Sequence, residues 1–328
     1  MATKTAEFAI LGAGALGSIL GAHLARAGHS VVMLARGQRA LQIAREGLRI
    51  SGIISFEQQV EIVSEPERFA GAGVFVLATK THGTEQALAP YRNAPVELAF
   101  SVQNGLMKNE QLAAAFGRQH VLGALANTSG ELLRDGTVLF TRNEGLTVGE
   151  LAGGISARAT RLAQVLDASG VRAAAVPDIE SLEWSKFVGW AGLMILSVVT
   201  RAPTVDFLDD ADSALVVTRI VRELGVLATA CAVALSDRTT LPVAAMCAGT
   251  EVEGVAIVRA FAASLRKTAP QHRMSSLQDL EAGHRLEIEE TLGYALRRSL
   301  EAKVQLPLLA TLYPLVRAID GRQAHRSP

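Results

Sequence analysis

Along the first half of the chain, short β-rich apolar runs alternate with stretches of helical periodicity. Residues 8–11 read as a strand, 15–27 as a helix and 30–35 as a second strand, with Gly28 and His29 turning the chain between the last two. Further buried strands are predicted over 74–79 and 97–102, with the start of a helix at 84–88 between them. Strands that alternate with helices make a parallel sheet covered on both faces, and such strands are apolar throughout. Residues 137–151 differ and read as two short strands around Asn143, Glu144 and Gly145, an antiparallel extension. Beyond Pro177 the β-branched runs fade, and helices are predicted over 182–200, 211–233, 243–265 and 286–304. The expected architecture is an α/β domain over 1–180 followed by an all-helical domain over 181–328.

Composition narrows the function. Hydrophobic residues make up 49% and charged residues 20% of the 328, a balance that excludes disorder and supplies two cores. Lys plus Arg and Asp plus Glu number 32 each. With no net charge and no basic block, neither nucleic acid nor an anionic membrane is an expected partner. Cys231 and Cys247 lack ligand spacing and are too few for a disulfide framework, so both read as reduced core residues. The first seven residues are polar, without the apolar core of a signal peptide, and the longest uncharged run, 187–200, is short for a bilayer span. A cytoplasmic protein is the expectation. No two histidines share a face at ligand spacing, so no metal is expected. The absence of a G-x-S-x-G elbow speaks against a hydrolase.

The chemistry begins at Gly12-Ala13-Gly14-Ala15-Leu16-Gly17, a G-x-G-x-x-G that follows a predicted strand and opens a helix. In a dinucleotide-binding fold the first glycine makes the tight turn and the second lets the backbone approach a pyrophosphate. The third packs helix on strand, and the helix N-terminus offers free N–H groups to the anion. The first domain is therefore expected to be a Rossmann-type, doubly wound sheet. A ribose 2′-OH calls for an acidic residue at the end of the second strand. This chain has Leu34-Ala35-Arg36-Gly37-Gln38-Arg39 there. Arg36 can hold a 2′-phosphate through its guanidinium fork, with Arg39 adding charge, so NADPH/NADP+ is the expected cofactor. A solvated loop arginine is the plainer reading.

In the helical half Lys186 stands just before an uncharged run, in Trp184-Ser185-Lys186-Phe187-Val188-Gly189-Trp190. A lysine there either reaches water from a helix end or is kept for chemistry, because burying an ammonium is costly. The glycine loop with its following arginine, Ala78-Thr79-Lys80-Thr81, Gln103-Asn104-Gly105, Trp184-Ser185-Lys186, Ser275-Ser276-Leu277-Gln278-Asp279 and Leu286-Glu287-Ile288-Glu289 occur in order. Together they resemble the ketopantoate reductases (2-dehydropantoate 2-reductases), over about residues 8–319. The resemblance implies hydride transfer from NADPH to the ketone carbon of a 2-oxo acid, with Lys186 as general acid stabilising and protonating the developing alkoxide. It also implies that Glu287 contacts the cofactor and helps to hold the lysine. Ser275 would bind substrate, Asn104 would serve both ligands, and Lys80 would lie on the cofactor side. Pantothenate biosynthesis is the pathway that the family name suggests.

Each residue has a structural reading beside that one. Ser275 with Gln278 fits a helix capping box, and Glu287 with Glu289 and Glu290 fits a solvated first helical turn. Asn104-Gly105 is a general turn signal, and Lys80 fits an ordinary strand end. His82, after Lys80, is within reach of the cofactor side, whereas His272 and His284 read as loop residues. One departure bears on substrate. The family places asparagines four and eight residues after the lysine, where they hold substrate hydroxyls; here Trp190 and Met194 occupy those positions. Neither replaces an amide's donors and acceptors. Either both are core, or they line a pocket for a less hydroxylated, more apolar 2-oxo acid. Two alternatives stay open: another two-domain NADP-dependent hydroxyacid dehydrogenase, and a non-catalytic NADP(H)-binding redox sensor. Helical domains with apolar faces often pair, so a homodimer is also left open.

Overall fold

The computed structural model describes residues 5–324; residues 1–4 and 325–328, which the two expected domains include, lie outside the described residues. Contacts divide the chain into two compact units, one ending at Glu180 and the other beginning at Ser181.

The first unit runs β1 (Ala6–Leu11), α1 (Ala15–Arg26), β2 (Val31–Leu34), α2 (Gly37–Glu46), β3 (Leu48–Gly52), β4 (Phe56–Gln58) and β5 (Glu61–Val63). It continues with β6 (Ala72–Leu77), α3 (Thr84–Leu88), β7 (Val96–Ser101), α4 (Met107–Phe116), β8 (Leu122–Leu132), β9 (Val138–Glu150), α5 (Ala157–Ala168) and β10 (Ala173–Ala175). Five strands form a wholly parallel sheet in the order β5-β2-β1-β6-β7. Both of its faces are buried. Phe8 and Ile10 of β1 enter one core while Ala9 and Leu11 enter the other, which explains the unbroken apolar runs. Strand order reverses about β1, with β2 on one side and β6 on the other, so a ligand crevice belongs at the carboxyl ends of β1 and β6.

The expectation for 137–151 needs correction. β9 is one continuous strand, paired antiparallel with β8, and it belongs to a second sheet with β10, β3 and β4 rather than extending the first. The hairpin turns at Asp135 and Gly136 (φ +82°), not at Asn143. Asn143 behaves differently because its amide is used laterally, donating to Gly170 O (3.0 Å) and accepting from Arg172 N (3.1 Å). Gly145, at φ +131°, lies in the register shift of the β8–β9 pairing between Asn143 and Leu146.

The second unit is built on α6 (Ile179–Thr200), which starts just before the boundary, followed by α7 (Thr204–Asp209), α8 (Ala211–Ala230), α9 (Val243–Ala248) and α10 (Glu251–Thr268). α11 (Ser275–Glu281), α12 (Leu292–Glu301) and α13 (Pro307–Ala324) complete it. By length and composition alone α6 is apolar enough to cross a membrane, but 83% of its most apolar window is buried inside the protein. It is a core helix, apolar all round because it is covered all round.

Two helix predictions are also corrected. The stretch 243–265 breaks at Gly249 and Thr250, where Thr250 and Glu253 form a reciprocal capping box that starts α10. A cap of this kind is worth about 1 kcal/mol, enough to make a helix start in mid-pattern. The stretch 286–304 becomes helical only at Leu292, so Glu287 lies in the loop before α12 and not in a helical first turn. α13 was not anticipated: Pro307 suits a first helical position, whereas Pro314 inside the helix hides it from any periodicity reading.

Candidate active site

In the first unit the site is made mostly by backbone. Gly12 sits at φ +110°, and a Cβ there would lie 2.7 Å from both Ala78 C and Thr79 N. A Cβ on Gly17 would lie 2.0 Å from Gly12 O. These two glycines are demanded by the fold itself, through the close packing of the β1 exit, the β6 exit and α1. Gly14, the N-cap of α1, is different: a Cβ there meets nothing within 4 Å. The space above it is open, and the first-turn N–H groups of Ala15, Leu16 and Gly17 have no intrahelical acceptor. With Ala13 completing the turn and no acidic residue in the first turn of α1, this cradle fits a pyrophosphate.

Arg36 and Arg39 separate sharply. Arg36 is the N-cap residue of α2 and is exposed at the end of β2. Arg39 is half-buried and tied down: Nε donates to Ala13 O (3.1 Å), Nη1 to Gly136 O (2.8 Å) and Gln42 Oε1 (3.0 Å), and Nη2 to Ser18 Oγ (3.1 Å). Arg39 is thus a strut that braces the glycine turn, and Arg36 is the arginine with a fork to offer.

The β6 and β7 exits are stitched together beside that turn. Lys80 is exposed three residues past β6, and Asn104 is half-buried in the turn after β7, followed by Gly105 at φ +83°. Between them lies Gln103, buried, whose Nε2 reaches Thr79 Oγ1 (3.1 Å), Lys80 O (3.1 Å) and Thr84 Oγ1 (2.9 Å). The structure therefore gathers the glycine turn, Lys80 and Asn104 at one end of the sheet. His82 lies in the same β6 exit, half-buried, with Nδ1 sequestered from solvent and lacking a hydrogen-bond partner. Sequence reasoning missed one member: Lys108, in α4, is buried and donates to the carbonyls of Ser101, Gln103 and Ala124. Lys108-Asn109-Glu110 reads as an ordinary polar helix start, so no local signal marks it.

In the second unit, α6 carries Lys186. From Leu182 to Val198, Lys186 and Trp190 alone are less than fully buried, and their four-residue spacing puts them on one helical face. Met194, the next position on that stripe, is completely buried. It is core, and its expected place in a substrate pocket has no support in its exposure. Ser275 is exposed at the first residue of α11. The capping-box reading fails, because Met274 is the N-cap and the Gln278 amide donates instead to Arg273 O (3.2 Å). The neighbouring Ser276 is buried and bonds Ser197 Oγ of α6 at 2.9 Å, so this motif is anchored to the helix that bears Lys186. Glu287 is half-buried, and its carbonyl accepts from the Thr291 hydroxyl. Glu289 is committed elsewhere, to the Tyr313 hydroxyl and to Arg317 at 3.0 Å. The acidic run is therefore divided, with Glu289 bracing α13. Among the described residues no cluster of His, Cys, Asp and Glu is built to hold a metal.

The chain as a whole has relatives among known proteins. The model for ketopantoate reductase PanE/ApbA matches residues 8–153, and the model for its C-terminal part matches 178–320. The chain belongs to the ketopantoate reductase family. The 2-dehydropantoate 2-reductase of Archaeoglobus fulgidus is 33% identical over 313 residues, 95% of this chain and 97% of that one. Among solved structures, the PanE/ApbA family ketopantoate reductase of Ralstonia eutropha JMP134 matches with a TM-score of 0.81 and 26% identity, over 97% of this chain and 99% of that chain. A D-mandelate dehydrogenase, solved with NADH and anilino(oxo)acetate, shares the fold with a TM-score of 0.83 at 21% identity, over 96% and 99%. The ketopantoate reductase family consists of NAD(P)H-dependent oxidoreductases that reduce a 2-oxo acid to the hydroxy acid.

Proposed function

We propose that this protein reduces a 2-oxo acid to the 2-hydroxy acid with NADPH, the first unit binding the nucleotide and the second supplying the catalytic residues. Bound NADPH would supply the hydride that reaches the ketone carbon. Lys186 donates a proton to the carbonyl oxygen as the C–O π bond opens, and its charge stabilises the alkoxide before transfer. Glu287 is the carboxylate that steadies that ammonium and meets the cofactor, and Ser275 and Asn104 orient the substrate. Lys80 serves the nucleotide from the β6 exit, and Arg36 reads the 2′-phosphate.

The observation that carries this reading is the exposure pattern of α6. A helix otherwise buried from Leu182 to Val198 brings one ammonium, Lys186, out of full burial, and a half-buried lysine is held more precisely than a surface one. Family membership supports the reaction, and the open space over Gly14 supports a pyrophosphate binding there.

Trp190 refines the substrate. One turn beyond Lys186 it offers an indole where a hydroxylated chain would need amides, so the pocket favours an apolar group next to the carbonyl. The test follows NADPH and NADH oxidation against ketopantoate, pyruvate, 2-oxoisovalerate and phenylpyruvate. Turnover of the apolar acids, with NADPH preferred, is expected. Efficient turnover of ketopantoate with rejection of the others would refute the substrate reading. NADPH binding without turnover across the panel would favour the redox-sensor alternative.

A further inference from the structure

We infer that Lys108, working through Gln103, is a positioning residue that fixes the turn carrying Asn104 against the glycine turn. The inference rests on the reading of that end of the sheet as the nucleotide site. Lys108 is 4% exposed and is the second residue of α4. Both facts are unfavourable: desolvating an ammonium is costly, and the helix dipole repels a cation in the first turn. An apolar side chain would fill the same space without either cost. A residue that breaks a local rule this way marks a place where geometry is being enforced.

What the ammonium gains is three backbone carbonyls from segments that must be held in register. Nζ donates to Ser101 O at the end of β7 (3.4 Å), to Gln103 O in the turn (3.1 Å) and to Ala124 O in β8. The turn is thereby pinned from below, on both sides of Val102. Gln103 passes the constraint sideways, since its Nε2 holds Thr79 and the Lys80 carbonyl in the β6 exit. Thr79 is part of the wall that Gly12 packs against. A polar path therefore runs from Lys108 through Gln103 to Thr79, against which the glycine turn packs. Asn104 directly follows Gln103, so the backbone that carries it is held in place before any ligand arrives.

The test uses the full-length chain and Lys108→Met, which keeps the length of the side chain and removes every donor. Amide hydrogen exchange without ligand reads the proposal independently of function. Exchange should rise at 101–105 and, through Gln103, at 79–84, while α1 and the second unit stay protected. The functional readouts are the NADPH Kd, kcat and KM, with Asn104→Ala alone and combined. Losing three charge-assisted bonds should weaken NADPH roughly fivefold and lower kcat/KM by about tenfold. In the Asn104→Ala background Lys108→Met should then cost little more, because it acts through that turn. Additive losses, or unchanged exchange at 101–105 in a folded variant, would overturn the inference. If Lys108→Met does not fold, Gln103→Met cuts the same path at its second link and is judged by the same readouts. Absence of nicotinamide binding by the wild-type protein would sink the nucleotide-site reading, and the exchange result would still decide whether Lys108 holds the turn.

Discussion

The two units build their candidate sites from different materials. At the carboxyl end of the first unit's sheet, the decisive groups are main-chain atoms: the Gly12 turn, the free N–H groups that open α1, and the β6 and β7 exits. In the second unit the decisive groups are side chains on α6, with Lys186 and Trp190 emerging from a helix that is otherwise buried from Leu182 to Val198. A site made of backbone tolerates very few residue types, because a Cβ at Gly12 or Gly17 collides with main-chain atoms that cannot yield. A site made of side chains tolerates replacement so long as the helix stays packed. The resemblance to the family accordingly implies that the glycine turn keeps the family's residues while Trp190 and Met194 depart from them.

The comparison is broken most directly at Lys186. Lys186→Ala should lower kcat by about 10²- to 10⁴-fold, the range for a lost general acid, with the NADPH Kd, read by fluorescence titration, nearly unchanged. A parallel loss of NADPH binding would mean that the two units do not divide the work as proposed. Arg36→Ala is the matching change at the nucleotide end. Removing a charged partner of a phosphate costs roughly 1.5–3 kcal/mol, or about 10- to 100-fold. NADPH should lose that much in kcat/KM while NADH is spared, and equal effects on both would remove Arg36 from the 2′-phosphate.

The glycines sharpen the distinction between fold and ligand. Gly12→Ala should cost about 2 kcal/mol or more in urea unfolding, through strain at φ +110° and a clash with the β6 exit. Gly14→Ala, with open space above it, should leave unfolding nearly unchanged and weaken NADPH. A Gly14→Ala variant that binds NADPH normally would show that no pyrophosphate approaches there.

The smallest effect concerns pH. His23 lies buried in α1 with Nδ1 on Ser169 O (2.9 Å) and its ring edge-on to Phe56 and Phe140. Burial pushes its pKa below the ordinary value of 6.5, outweighing the Ser169 hydrogen bond, with Arg26 lowering it further. The unfolded chain therefore binds the extra proton more readily. The stability that His23 contributes is complete above about pH 6.5 and declines as pH falls below it, toward the depressed folded pKa. His23→Leu should flatten that acid slope in urea unfolding while lowering stability at pH 7.5 by about 1 kcal/mol, the cost of an unsatisfied Ser169 carbonyl. An unchanged slope would place the acid sensitivity elsewhere.

Legibility followed the range of each constraint. The glycine turn, the helix it opens and the place of Arg36 at the end of β2 are legible because they are local: a few consecutive residues set the backbone there. Lys186 was visible as an oddity before an apolar run, but its spacing alone did not separate Trp190 from Met194. Helical periodicity gives a face, and only packing shows that one residue on that face is reached by solvent and the next is not. The supposed turn at Asn143 failed for a related reason. Its amide is used by Gly170 and Arg172, which are distant in sequence. Lys108 left no trace, since a lysine near a helix start looks the same whether it meets water or three carbonyls.

By itself, then, the amino-acid sequence determined what short-range sterics and periodicity control: a parallel α/β first unit, a helical second unit, a tight glycine turn and a lysine worth testing. The tertiary structure decided which polar groups are used up and which are left over. Arg39 and Glu289 are spent on bracing and Met194 is sealed in the core, whereas Arg36 and Trp190 remain exposed or partly so. The physical reason is that burial and hydrogen-bond satisfaction depend on partners far along the chain, and no local pattern encodes where those partners will be.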